Sequence, residues 1–79
     1  MVIFLKAGGE LRAKLQPDVD HYTRRVEADA GQTLAELLRG IGVDPAFVAY
    51  AVVKDKLQKL AYVPVDGDVI TLQPPVSGG

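Results

Sequence analysis

The last six residues have the types and order needed to carry a terminal carboxylate into a narrow active site. Two consecutive prolines, Pro74 and Pro75, fix φ near −65° and favour an extended chain that leads away from the body. Gly78 and Gly79 have no Cβ, so the backbone there fits a slot too tight for other residues. At roughly 3.1 Å per residue, six residues reach about 19 Å. We predict that 74–79 is a flexible tail that enters a neighbouring enzyme.

Other side chains that could do chemistry are few. The sequence has no cysteine, and His21 is its single histidine, so it offers neither thiol chemistry nor zinc-finger spacing. His21 falls on the polar side of an alternating segment, which is typical of a surface residue. Asp66-Gly67-Asp68 has the composition of a tight turn and lacks the further spaced ligands of a calcium loop. We predict no catalytic residue of its own and no metal site.

Length and charge restrict the remaining classes. A chain of 79 residues makes one domain, which we place at residues 1–73, ahead of the tail. The nine basic and ten acidic residues give a net charge of −1, without the basic field that nucleic-acid binding needs. No apolar run reaches the roughly 18 residues of a membrane span, and no signal peptide opens the chain. We expect a cytoplasmic protein that binds neither nucleic acid nor membranes.

One helix is strongly predicted. Thr33-Leu34-Ala35-Glu36 is a capping box, in which Thr33 caps the helix and Glu36 reaches back to the cap's own amide. An apolar stripe with i, i+3, i+4 and i+7 spacing follows, and it predicts that the helix covers a sheet. The stripe consists of Leu34, Leu37, Leu38 and Ile41. Gly40 and Gly42 are expected to supply the left-handed stop.

The rest of the chain favours strands. The apolar run from Val2 to Leu5 suits a strand buried on both faces in the middle of a sheet. Gly8 and Gly9 are expected to reverse the chain after it, and Glu10–Asp20 to form a loop broken by Pro17. The remaining strands are predicted at His21–Ala28, with one polar face, at Val48–Val53, irregularly from Leu57 to Val63, and at Val69–Leu72, with polar turns at Lys54-Asp55-Lys56 and Asp66-Gly67-Asp68.

This order of elements predicts an α+β fold. A first hairpin, a helix packed across the sheet and a last strand parallel to the first describe a β-grasp, or ubiquitin-like, roll of about four to five strands. The final strand then leads directly into the prolines of the tail.

The sequence resembles the MoaD/ThiS family of ubiquitin-like sulfur carriers, and most closely the small subunit of molybdopterin synthase. Gly31-Gln32-Thr33-Leu34 with Glu36-Leu37-Leu38 looks like the family's helix start, and Asp66-Gly67-Asp68 with Val69 like its last turn. Pro74–Gly79 looks like its terminal motif, and it is the most specific of the three. The chain departs from many relatives at Lys54, where they have asparagine, and at Gln73, where they have an apolar residue.

The resemblance implies a chemistry. An E1-like, ATP-using enzyme of the MoeB/ThiF kind would adenylate the carboxylate of Gly79, and a sulfur donor would replace AMP to give a thiocarboxylate. The carrier would bind no cofactor itself and would deliver sulfur inside a larger, MoaE-like synthase subunit. A sulfur carrier without cysteine must hold its sulfur elsewhere, and an activated terminal carbonyl has the needed reach. The tail residues that would bind the partners are Gln73, Pro74, Pro75, Val76, Ser77, Gly78 and Gly79.

Three alternatives remain open from the sequence alone. The chain could carry sulfur for thiamine or another metabolite. It could also be a protein modifier joined through Gly79 to lysines, or a β-grasp interaction module whose tail does nothing.

Overall fold

A mixed five-stranded sheet organises the chain, and the computed structural model describes residues 1–75 of it. The strand order is β2-β1-β5-β3-β4; β1 and β5 run parallel, and the other neighbours run antiparallel. The predicted β-grasp fold is therefore confirmed. The elements are β1 (Val2–Lys6), α1 (Gly9–Leu15), β2 (Thr23–Glu27), α2 (Leu34–Gly40), a 3-10 turn (Pro45–Phe47), β3 (Tyr50–Val53), β4 (Lys56–Gln58) and β5 (Val69–Gln73).

The core lies between one face of the sheet, here called the inner face, and the two helices. Alternate residues of β1 and β5 point into it, because successive side chains of a strand lie on opposite faces. They meet the apolar stripe of α2 and the two leucines of α1 in one cluster. The strand residues are Ile3, Leu5, Ile70 and Leu72, and the helix residues are Leu11, Leu15, Leu34, Leu37 and Leu38.

The predicted capping box starts α2. Thr33 Oγ1 accepts a hydrogen bond from the Glu36 amide at 3.2 Å, and Glu36 Oε1 accepts one from the Thr33 amide at 3.1 Å. The bond from the Thr33 amide lowers the pKa of the Glu36 carboxyl. Gly42 takes φ +83° just beyond the helix, whereas Gly40 is its last residue and has no left-handed φ. The stop predicted at Gly40 is thus wrong and belongs to Gly42 alone.

The segment predicted as a loop contains α1. Leu11 and Leu15 lie one turn apart and are both buried. Their burial in the core offsets the entropy lost when this short helix forms. Gln16 then takes a left-handed conformation with φ 57° and ends the helix, and its amide bonds the Arg12 carbonyl at 3.1 Å. Pro17 lies beyond this end and interrupts nothing. Gly8 is the N-cap of α1, so the expected reversal at Gly8-Gly9 is a helix start.

The connection from α1 to β2 folds along the free edge of β2. The amides of Asp18 and Val19 donate to the Thr23 carbonyl, and the Arg25 amide donates to the Asp18 carboxylate at 2.9 Å. Thr23 is buried as a result, although the alternation placed it on the polar face. Val26 is buried as predicted. A local contact between loop and strand edge thus overrides the two-residue period.

β1 is an interior strand, but only its inner face is fully buried. Ile3 and Leu5 are inaccessible, whereas Val2 and Phe4 are half-buried. The prediction of burial on both faces is therefore wrong, because both helices pack on the same side of the sheet. The outer face remains uncovered within the described residues.

Asp68 ties the last turn to the sheet. Its buried carboxylate accepts hydrogen bonds from the Tyr62 hydroxyl at 2.5 Å and the Val65 amide at 3.0 Å, while its carbonyl accepts from the Phe4 amide at 2.9 Å. Asp66 accepts from the Val2 amide at 2.8 Å, and Gly67, at φ +85°, donates to the Val2 carbonyl. The turn therefore fixes the start of β5 against the start of β1. The structure confirms the predicted turn.

The β3–β4 hairpin closes through Lys54 and Asp55, with φ of 51° and 64°. Two consecutive positive-φ residues are the signature of the tight turn that matches the twist of a hairpin. β4 covers only Lys56–Gln58, so the irregular strand predicted from Leu57 to Val63 is wrong beyond Gln58, and Lys56, predicted as part of the turn, begins the strand. Among residues 1–75, no helix is long and apolar enough to cross a membrane.

We expect Leu38→Ala to lower the free energy of unfolding by about 2 to 5 kcal/mol, because it leaves a cavity in the core. Leu57→Ala is the matched control: the same atoms are removed from a side chain that is 61% exposed, so the change should stay within about 0.5 kcal/mol. Urea denaturation of both variants measures the difference. Equal effects would contradict the assignment of the core face.

Tyr62→Phe should cost about 2 kcal/mol, because the buried Asp68 carboxylate loses its hydroxyl donor. Burial and Asp68 raise the pKa of Tyr62 to about 12 from its ordinary 10. The native state therefore favours the protonated phenol, so this stabilisation is complete below pH 10 and is lost as the pH rises towards 12. Denaturation of both proteins between pH 7 and 12 should show the gap closing. A constant gap would mean that the hydrogen bond does not cause it.

Candidate functional site

The root of the tail is held in the middle of the sheet. β5 pairs with β1 on one side and with β3 on the other, and its Ile70 and Leu72 side chains lie in the core. The Ala49 amide donates to the Gln73 carbonyl at 2.8 Å, so the ladder continues to the last residue of the strand. The prolines that follow have no amide to donate, and the pairing stops there. The tail thus leaves from a fixed point.

The structure describes three of the seven predicted tail residues. Gln73 is half-buried at the end of β5, while Pro74 and Pro75 are exposed directly after it. Val76, Ser77, Gly78 and Gly79 lie outside the described residues. The roles given to them, and the division into a domain at 1–73 and a tail at 74–79, stay predictions.

A groove of about 490 Å³ lies beside the root of the tail. Its walls include Lys6 and Thr71, which are paired in register on two parallel strands, and Asp20 and Tyr22 from the connection before β2. The Tyr22 amide donates to Asp20 at 2.8 Å, and this bond lowers the pKa of the Asp20 carboxyl. Asp20 is therefore an ionised residue that shapes a turn, and it is unsuited to act as a base near neutral pH.

A smaller depression of about 270 Å³ lies on the helix side of the same prolines. Glu10, Leu11 and Lys14 of α1 and Phe47 of the 3-10 turn line it together with Pro74 and Pro75. The two prolines thus face the same depression as α1 and the 3-10 turn, whereas the sequence predicted only that they lead away from the body.

The outer face of the sheet carries an apolar stripe, and Lys6 lies on the same face in register with Thr71. The register places Phe4 beside Val69, and Val52 between Thr71 and Leu57. Val69 and Leu57 are 47% and 61% exposed, which is high for apolar strand residues. The neighbouring edge is charged, with Arg25 and Glu27 paired at 2.9 Å. An apolar stripe bordered by charges, with the tail emerging at its end, is the surface expected of a protein that docks on a partner.

No arrangement for catalysis lies within the described residues. His21 is exposed, as predicted, with its ring 6.4 Å from that of Tyr22. Residues 1–75 contain no group of three or more histidine, cysteine or acidic side chains that could hold a metal ion. The geometry supports presentation of the tail and contact with a partner.

Sequence reasoning found the tail but missed the surfaces around it. Phe47 lies in a segment read only as a turn, and nothing local connects it with Pro74, 27 positions later. The outer stripe had a weak signal, since Val69 and Thr71 alternate with buried residues. Its other members come from strands whose neighbours only the topology reveals.

Comparison with known proteins adds the family. The model of the ThiS family matches residues 9–79. The crystal structure of SAMP1 from Haloferax volcanii superimposes with a TM-score of 0.68 at 22% sequence identity, over 100% of both chains, and this likeness supports the fold. A search of curated proteins finds no match. Since the family match extends over nearly the whole chain, from α1 through the terminal diglycine, this protein belongs to the ThiS family of ubiquitin-like sulfur carriers.

Proposed function

We propose that this chain is the sulfur carrier of a molybdopterin synthase, loaded as a thiocarboxylate on Gly79. The observation that carries the proposal is the Pro-Pro-Val-Ser-Gly-Gly ending on the central strand of a family β-grasp that contains no cysteine. Small proteins of this kind act as carriers and work with E1-like enzymes. The choice of the molybdopterin pathway rests on the resemblance of residues 74–79 to the small subunit of that synthase.

The first step activates the carboxylate. A carboxylate oxygen of Gly79 attacks the α-phosphorus of ATP, pyrophosphate leaves, and an acyl-adenylate forms. Both ATP and the catalytic groups belong to the activating enzyme. This chain supplies a tail that is long enough to reach the nucleotide and narrow at its tip. The absence of a Cβ at Gly78 and Gly79 lets the carboxylate approach the nucleotide closely.

The second step exchanges oxygen for sulfur. A hydrosulfide equivalent from a sulfur donor attacks the acyl carbon, a C–S bond forms, and the C–O bond to AMP breaks. The product thiocarboxylate is ionised at neutral pH, so its sulfur is a nucleophile. In the synthase it would attack a pterin precursor, and hydrolysis of the acyl–sulfur bond would return the carboxylate.

The outer face gives the proposal a docking surface. Phe4, Val52, Leu57 and Val69 form an apolar stripe on the strands around β5, from whose end the tail leaves. A partner that covers this stripe buries apolar area and holds the tail in one direction. An activating enzyme of the MoeB/ThiF kind and a MoaE-like subunit are the proposed partners.

Co-expression with a competent activating enzyme and sulfur donor should increase the intact mass by the exchange of one oxygen for sulfur. Fragmentation should localise the change to the C-terminal peptide, because no cysteine offers another position. A Gly79→Val variant, whose Cβ obstructs activation, is the matched control and should keep its unmodified mass. Unmodified wild-type protein would contradict the carrier role, and ladders of heavier conjugates would indicate a protein modifier.

Deleting Gly79 should abolish activation and leave folding unchanged. The deletion moves the carboxylate about 3 Å, and a misplacement of about 1 Å can already cost on the order of a hundredfold in rate. The residue lies six positions beyond the last strand, so we expect stability to change by no more than about 0.5 kcal/mol. Pyrophosphate exchange by the partner enzyme and a thermal melt measure the two effects.

Val63→Ala is the control for this deletion, because it changes an exposed side chain outside the tail and keeps the length of the tail and both glycines. Normal exchange by the shortened chain would refute the role of Gly79. A collapsed melt would show that the tail belongs to the fold.

A further inference from the structure

The depression on the helix side of the prolines presents an aromatic ring beside a cation. We call it the Phe47 shelf and define it by Glu10, Leu11, Lys14, Phe47, Pro74 and Pro75. The Lys14 ammonium lies 4.3 Å from the centroid of the Phe47 ring, within the range of a cation–π contact. Phe47 is nevertheless 44% exposed. The shelf therefore offers an apolar surface with Lys14 and Glu10 at its edge.

A short, well-bonded turn holds Phe47 in place. The Asp44 side chain accepts from the Ala46 amide at 2.9 Å, and the Asp44 carbonyl accepts from the Phe47 amide at 3.0 Å. Val48, the next residue, is buried and anchors the far side of the turn. The ring is thus presented on a rigid support, which lowers the entropic cost of using it in an interface. Rigid aromatic side chains are typical energetic centres of protein interfaces.

The length of the tail limits how far a partner can stay from the shelf. Gly79 lies four positions beyond Pro75, and at roughly 3.1 Å per residue this distance is about 12 Å. An enzyme whose nucleotide site receives Gly79 must therefore bring the wall of that site close to Pro75. Pro75 is part of the shelf, so the rim of the enzyme meets either the shelf or the 490 Å³ groove beside Pro74. The shelf is the better contact surface, because apolar atoms make up a larger fraction of its lining than of the groove's lining.

We infer that the Phe47 shelf is a contact surface for the rim of the activating enzyme, an inference that rests on the proposed function. The matching surface is an apolar side chain over Phe47 with an acidic group facing Lys14. Glu10 also lines the shelf, one helical turn before Lys14. Among the residues that the structure describes, however, no carboxylate lies within ion-pair distance of Lys14, so its ammonium can face an acidic group of a partner. The shelf complements the outer face, because the two surfaces lie on different sides of the tail root.

The test compares Phe47→Ala with Val63→Ala, because both wild-type side chains are 44% exposed and Val63 lies outside the shelf. In pyrophosphate exchange, Phe47→Ala should raise the carrier concentration for half-maximal rate by about tenfold, the usual loss at an interface centre. Val63→Ala should match wild type. Lys14→Met removes the charge and keeps the aliphatic stem. This variant should raise the carrier concentration for half-maximal rate by less than Phe47→Ala does, and it should weaken the dependence of that concentration on salt.

If Phe47→Ala reaches half-maximal pyrophosphate exchange at the same carrier concentration as wild type, the inference is overturned. Normal exchange combined with slower sulfur transfer from preformed thiocarboxylate would also overturn it, because that result would assign the shelf to the acceptor subunit. Absence of exchange with wild-type protein would instead refute the proposed function. Should Phe47→Ala fail to fold, hydrogen exchange on the wild-type complex decides: slower exchange at residues 11–14 and 46–48 supports the contact, and unchanged exchange overturns it.

Discussion

The parallel pairing of β1 with β5 is the constraint on which the rest of the structure depends. It aligns Phe4 with Val69, residues from opposite ends of the chain. Joining such distant segments costs loop-closure entropy that no local interaction offsets, so the pairing forms together with the core that supports it. Once formed, it places the last strand in the middle of the sheet. The end of that strand, and hence the root of the tail, then has a fixed position relative to every surface around it.

Two backbone arrangements secure this pairing from the side of the long loop. The Asp66–Asp68 turn bonds the start of β1, and Asp68 also holds Tyr62. The carbonyls of Leu60 and Tyr62 accept hydrogen bonds from the amides of Ala35 and Leu34, respectively. These amides belong to the first turn of α2 and have no acceptor within the helix. The irregular segment before β5 therefore connects helix and sheet. A domain of this size without disulfides relies on such shared hydrogen bonds as well as on its core.

The sequence predicted most of the fold, because its strongest signals were local. The capping box at Thr33 and Glu36 determines where α2 begins whatever surrounds it, and the turns at Lys54 and Gly67 need only their own backbone angles. α1 was missed because Leu11 and Leu15 stabilise a helix only when they are buried in the core, and the local sequence does not show that burial. Thr23 was misplaced because the loop directly before β2 folds back along the edge of that strand and covers it. For the site, the tail motif can be recognised directly in the sequence, because its residues are consecutive. The Phe47 shelf forms only where three separate segments of the chain meet, so no local pattern predicts it.

The loop along β2 has a consequence for how the molecule behaves among its own copies. An open sheet edge is a template for strand addition, and a protein with an exposed apolar sheet face would be especially prone to growth into fibres. On β2 the loop amides of Asp18 and Val19 and the Asp18 carboxylate already occupy the edge groups of Thr23 and Arg25. On the opposite edge β4 is only three residues long and begins with Lys56. The fold can thus leave its apolar face accessible to a partner while limiting strand addition at both edges of the sheet.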